Sequence, residues 1–91
     1  MAKLTEQEIK TALTELKEWQ LAGIAIQRIY TFPDFKQAIV FVNKMAGAAE
    51  EANHHPDIDI RYNKVTVSLT SHDSGGITAR DVKMAKRINS L

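Results

Sequence analysis

The sequence predicts an α+β fold in the order α-β-β-α-β-β-α, a four-stranded antiparallel sheet with three helices packed on one face. Three observations predict it. Ile58, Ile60 and Tyr62 alternate with other residues, as do Val65, Val67 and Leu69 across a short turn, and that period of two is the mark of a β-hairpin. Apolar residues recur every three or four positions in three other segments, the spacing of one buried helix face. Thr5, Asp34 and Thr78 stand as helix caps, with Glu8, Gln37 and Asp81 three residues beyond them.

The first helix is expected from Thr5 to about Trp19, with Ile9, Ala12, Leu13 and Leu16 as its inner stripe. A strand over Trp19 to Leu21, a break at Gly23 and a strand over Ile24 to Phe32 follow, with Ile24, Ile26, Ile29 and Phe32 as the apolar set. Pro33 and Asp34 open the second helix, whose stripe is Phe35, Ala38, Ile39, Val42, Met45, Ala46 and Ala49. It should end near Asn53, because a residue before proline is pushed out of the helical region and His54-His55-Pro56 comes next. After the hairpin, which turns at Asn63-Lys64, Ser71 to Gly76 reads as a loop. Thr78 then caps a last helix that packs through Val82, Ala85 and Ile88.

With 91 residues the chain forms one domain, residues 1–91, too short for a nucleotide-binding doubly wound sheet or an (α/β) barrel. A domain of this size hides only about 60–65% of its unfolded surface, so chemistry belongs in a shallow cleft or on surface shared with a second copy. The net charge of +1 gives no general basic excess for nucleic acid. The basic run Arg80, Lys83, Lys86 and Arg87 is interrupted by Asp81 and reads as a solvated helix face. The absence of cysteine excludes disulfides, thiolate metal sites and cysteine nucleophiles. No apolar run approaches the roughly 20 residues of a membrane span, and the charged first residues lack the apolar region of a secretory signal. A soluble, cytoplasmic protein is the expectation.

Chemistry concentrates at the histidines. His54 and His55 end the second helix, and His72 follows the fourth strand. A hairpin fills the interval, and a hairpin returns its ends to one another, so the three imidazoles should share one place. Histidine changes charge near neutral pH and is the natural acid or base here. Glu50 lies four residues before His54, where one helix face would carry both and the carboxylate could orient an imidazole. Asp57, Asp59 and Asp73 lie nearby in sequence, and Asp81 reads either as a helix cap or as a site carboxylate. Two or three histidines with a carboxylate could also bind zinc or non-haem iron, although adjacent residues diverge in direction and the H-E-x-x-H spacing is absent. Gly75-Gly76 reads as a turn, since no phosphate-cradling glycine pattern surrounds it. No serine elbow is present, and Trp19 and Tyr62 read as packing residues.

Glu50-x-x-x-His54-His55-Pro56, Tyr62-Asn63-Lys64-Val65, Leu69-Thr70-Ser71-His72-Asp73 and Gly76-Ile77-Thr78-x-x-Asp81 together resemble the pterin-4a-carbinolamine dehydratase family. The resemblance covers nearly the whole chain, including the first helix, the Trp19 region, Phe32 and Phe35. It implies the same α+β fold, dimers joined through their sheets and often paired into tetramers. The implied reaction is dehydration of a 4a-hydroxytetrahydropterin to the quinonoid dihydropterin, recycling a pterin used by an aromatic amino acid hydroxylase. No metal or organic cofactor is implied.

The resemblance makes His54 and His72 the principal acid and base, has His55 assist or hold the pterin, and has Glu50 orient an imidazole. Asn53, His54, His55, Thr70, Ser71, His72 and Asp73 would line the pocket, with Pro56 and Asp81 in support. Asn53 and Ile58 depart from the family pattern, standing where better-known animal members carry Asp and many members carry Trp; the second change removes a ring that could stack on the pterin. Animal members also serve as dimerisation cofactors of a homeodomain transcription factor, so an interaction protein is the rival reading.

Overall fold

Each helix begins where a side chain can take up a free backbone amide. In the computed structural model, which describes residues 2–91, α1 spans Glu6–Leu13, α2 Phe35–Ala52 and α3 Ala79–Asn89. Thr5 Oγ1 accepts from the Glu8 amide at 3.2 Å while Glu8 accepts from the Thr5 amide at 2.8 Å. Asp34 accepts from the Gln37 amide at 2.8 Å. Thr78 and Asp81 form a second reciprocal box at the start of α3.

The strands are β1 Gln20–Ala22, β2 Ala25–Thr31, β3 Asp57–Arg61 and β4 Lys64–Leu69. They form one antiparallel sheet in the order β1-β2-β4-β3. A 3-10 turn, His72–Ser74, follows β4. Pairing of Ile26 with Leu69, Arg28 with Val67 and Tyr30 with Val65 puts these residues on one face, and Ile58 and Ile60 join it opposite Val67 and Val65. The helices cover this face. Val65, Val67 and Leu69 are fully buried against Ala38, Phe41, Met45, Ala48 and Ala49 of α2 and Met84, Ala85 and Ile88 of α3 in a single core. The opposite face carries Gln27, Thr66, Ser68, Asp57 and Asp59, with Ile29 exposed among them.

The structure departs from the sequence expectation in four local ways. α1 ends at Leu13 and not at Trp19. The hydroxyl of Thr14 donates to the Thr11 carbonyl at 2.6 Å, and the amides of Thr14, Glu15 and Leu16 bond three residues back, so the chain tightens out of the α-helix. Those turns deliver Leu16 and Trp19 into the core.

In β2 the inward set is Ile26, Arg28 and Tyr30, whereas Ile24 and Ile29 are exposed. Arg28 faces inward because its guanidinium lies 4.2 Å from the Tyr30 ring centroid and donates to Asn89 Oδ1 at 2.8 Å. Asn89 Oδ1 also accepts from Trp19 Nε1 at 3.0 Å and from the Tyr30 hydroxyl at 2.5 Å.

The buried stripe of α2 is rotated. Phe41 and Ala48 are inside, while Phe35 and Ala46 are exposed. The hairpin turns one residue early, with Tyr62 at φ +51° outside β3. That left-handed position is one that aromatic residues rarely take. It is secured by Asn63, whose carbonyl and side-chain amide both bond the backbone of Phe32.

Candidate active site

The second helix stops through its backbone. Asn53 adopts the left-handed region at φ +50°, the amide of His54 donates to the Ala49 carbonyl at 3.1 Å, and that of Asn53 to the Glu50 carbonyl at 3.3 Å. Two reversed bonds of this kind close a helix C-terminus. The chain therefore turns before His54, and the expected pairing of Glu50 with His54 along one helix face does not form. Glu50 Oε2 instead meets His55 Nε2 at 2.5 Å, with both side chains exposed.

His54 points inward and is 9% exposed. Its Nε2 lies 2.5 Å from Oδ1 of Asp81, a carboxylate with no exposed surface. The second oxygen of Asp81 accepts from Ser71 Oγ and from the Thr78 amide, each at 2.8 Å. Thr78 Oγ1 lies 2.9 Å from Ser71 Oγ. With the serine proton on Asp81, the threonine hydroxyl is the donor of that last bond. Asp81 is thus both the helix cap and the partner of His54. It ties the segment before β3 to the segment after β4, as the register of the hairpin, Asp57 opposite Ser68, already inclines them to meet.

His72 is exposed on the 3-10 turn one residue beyond Ser71. Asp73, also exposed, is held by Arg80 Nη2 at 3.0 and 3.2 Å. Thr70 is buried, and its hydroxyl is committed to the Ile24 carbonyl at 2.6 Å. Asn53 is exposed and Pro56 half-buried. Ile58 sits in β3, 37% exposed, opposite Val67.

Beside His54, between the end of α2 and the outer face of α3, lies a cleft of about 320 Å³. Ala52 and Met84 give it apolar wall, and Glu51, Arg80, Lys83 and Arg87 its charge. In the sequence Arg80, Lys83 and Arg87 read as a solvated helix face, and Glu51 carries no signal of its own. Only the helical spacing of Arg80, Lys83 and Arg87 signals that three cations share a face. Among the described residues, no group of three or more His, Cys, Asp or Glu side chains is placed to hold a metal ion. Among the same residues, no helix is long and apolar enough to cross a membrane.

Comparison with known proteins follows the same lines. A provisionally named pterin-4-alpha-carbinolamine dehydratase of Koribacter versatilis is 59% identical over 88 residues, covering 97% of this chain and 94% of that protein. A second, from Sulfurisphaera tokodaii, is 52% identical over 91 residues and covers 100% and 98% of the two chains. The crystal structure of a transcriptional coactivator/pterin dehydratase from Brucella melitensis superposes with a TM-score of 0.93 at 40% identity, covering 97% and 96%. A pterin dehydratase-like RuBisCO assembly factor of the alpha-carboxysome shares the fold alone, with a TM-score of 0.65, 20% identity and coverage of 79% and 83%. The sequence pattern described as pterin 4 alpha carbinolamine dehydratase matches residues 2–91, and the chain belongs to that family.

Proposed function

We propose that this chain removes water from a 4a-hydroxytetrahydropterin, yielding the quinonoid dihydropterin by histidine acid–base catalysis, and so serves pterin recycling. The supporting observation is the buried Asp81 carboxylate, which holds His54 on one oxygen and Ser71, neighbour of His72, on the other. A carboxylate that accepts from Nε2–H fixes the imidazole tautomer and leaves Nδ1 with its lone pair. In the proposed step His54 takes the proton from the ring nitrogen next to C4a. His72 protonates the departing hydroxyl, which leaves as water while the carbon–nitrogen double bond forms. His55, braced by Glu50, holds the ring, and backbone groups of Thr70 to Asp73 line the pocket. General acid–base catalysis of this kind contributes about 10²–10⁴-fold.

The proposal also makes the chain a homo-oligomer. Strand β3 is an exposed edge, the far face of the sheet is uncovered among the described residues, and Phe35 and Val40 of α2 are each 49% exposed. The same apolar residues, with the coactivator name carried by the Brucella melitensis protein, support an interaction role as the second reading. One absorbance assay of 4a-hydroxytetrahydropterin breakdown separates them. The parent should accelerate the reaction, and folded His54→Ala and His72→Ala should lose most of that acceleration. Variants as fast as the parent would sink the histidine mechanism. A parent that does not accelerate breakdown at all would leave the interaction reading.

A further inference from the structure

The His54 cleft carries more positive than negative charge. Arg80, Lys83 and Arg87 fall at i, i+3 and i+7 along α3, on one face, and all three line it; the only carboxylate in the lining is Glu51. That carboxylate is already spent, since Arg87 Nη2 holds it at 2.9 Å. Arg80 is held by Asp73 through Nη2, and its buried Nε–H has no acceptor among the described residues. Lys83 is exposed and makes no ion pair among the described residues. Two of the three cations are thus each met by a carboxylate, and Lys83 between them keeps a charge that no group among the described residues answers. The row of three cations spans about 10 Å along the helix from Arg80 to Arg87. It begins at His54, one of the three histidines assigned to the pterin ring.

From this we infer that the pterin taken by this chain carries an anionic group, a phosphate or a carboxylate, on its side chain, and that Lys83 and Arg87, with Arg80, receive it. The inference rests on the dehydratase reading of the His54 site and names a class of substrate for it. A pterin whose bicyclic ring lies beside His54 has the face of α3 as the wall along which a side chain can extend. The apolar wall of Ala52 and Met84 lowers the local dielectric next to the cations, which strengthens a charge-assisted bond relative to one in open water. A neutral hydroxylated side chain would leave that charge unused.

The test measures binding of three non-reacting oxidised pterins to the intact chain: neopterin, whose side chain is neutral, neopterin monophosphate, and folic acid with its glutamyl carboxylates. At low salt at least one anionic probe should bind about tenfold more tightly than neopterin, the size of one further charge-assisted hydrogen bond. Gain by the monophosphate alone assigns a phosphate, gain by folic acid alone a carboxylate, and either supports the inference. The advantage should collapse in 0.5 M salt. It should also collapse in Lys83→Ala and in Lys83→Ala/Arg87→Ala, while neopterin affinity stays within about twofold of the parent value. Equal affinity for all three probes overturns the inference and leaves the dehydratase reading standing. So does an advantage that survives both substitutions. Failure of every pterin to bind brings down the dehydratase reading and the inference together.

Discussion

Replacing Asp81 by Asn changes one atom of the buried network and reverses the direction of one hydrogen bond. Oδ2 of Asp81 accepts from both Ser71 Oγ and the Thr78 amide, so the new amide keeps its oxygen on that side. Its NH₂ then faces His54 Nε2, which meets Oδ1 at 2.5 Å in the parent. Two donors cannot share that contact, so the imidazole must move its proton to Nδ1. The contacts survive with their charge assistance lost, which costs about 1–2 kcal/mol of stability. Under the proposed mechanism catalysis loses more, because the nitrogen assigned to receive the substrate proton is now occupied, and kcat should fall about 10²–10⁴-fold. Asp81→Ala instead strands three buried donors and should cost about 3–5 kcal/mol. Urea unfolding gives the two stabilities, nitrogen NMR of His54 shows which ring nitrogen carries the proton, and the pterin assay gives kcat. A folded Asp81→Asn protein with parental kcat, or with His54 still protonated at Nε2, would refute the tautomer argument.

Two other expectations concern the far end of α3. Asn89→Ala removes one oxygen that serves Trp19, Arg28 and Tyr30, and should cost about 2–3 kcal/mol, with altered Trp19 fluorescence in the native state; a loss below about 0.5 kcal/mol would show that water replaces it freely. Burial raises the Tyr30 hydroxyl above its ordinary value of 10.0, against the lowering effect of Arg28. The unfolded chain therefore gives up this proton first, so the Tyr30 contribution to stability is intact below pH 10.0 and is lost as pH rises through the folded value. Urea midpoints should fall more steeply above pH 10.0 in the parent than in Tyr30→Phe, and parallel slopes would contradict that assignment.

What could be read from the sequence was what local chemistry decides. The caps at Thr5, Asp34 and Thr78 each involve partners two or three residues away, and all three formed. The hairpin from Asp57 to Leu69 announced itself by period and brought Ser71 into the network that holds His54. The partner of His54 was beyond reach, because a capping carboxylate has a second oxygen whose direction only tertiary packing sets. Glu50 was misdirected for a related reason: the left-handed turn at Asn53 breaks the helical spacing one residue before His54. Arg28 lies outside the apolar set expected for β2, yet it is an inward residue whose guanidinium donates to Asn89, 61 positions away. The cationic cleft was hidden because spacing along α3 shows which residues share a face, and only the end of α2 makes that face concave.

Helix α3 is fastened at both ends. Asp81 anchors its first turn to His54 and Ser71, and Asn89 anchors its last to Trp19, Arg28 and Tyr30. Between them Met84, Ala85 and Ile88 are buried in the core. A helix held this way has no cheap partial detachment, since releasing either end exposes the middle. Amide exchange at Ala85 and Ile88 should then proceed only through global opening. The site cannot loosen ahead of the fold, and heating should extinguish turnover and tertiary structure at one temperature.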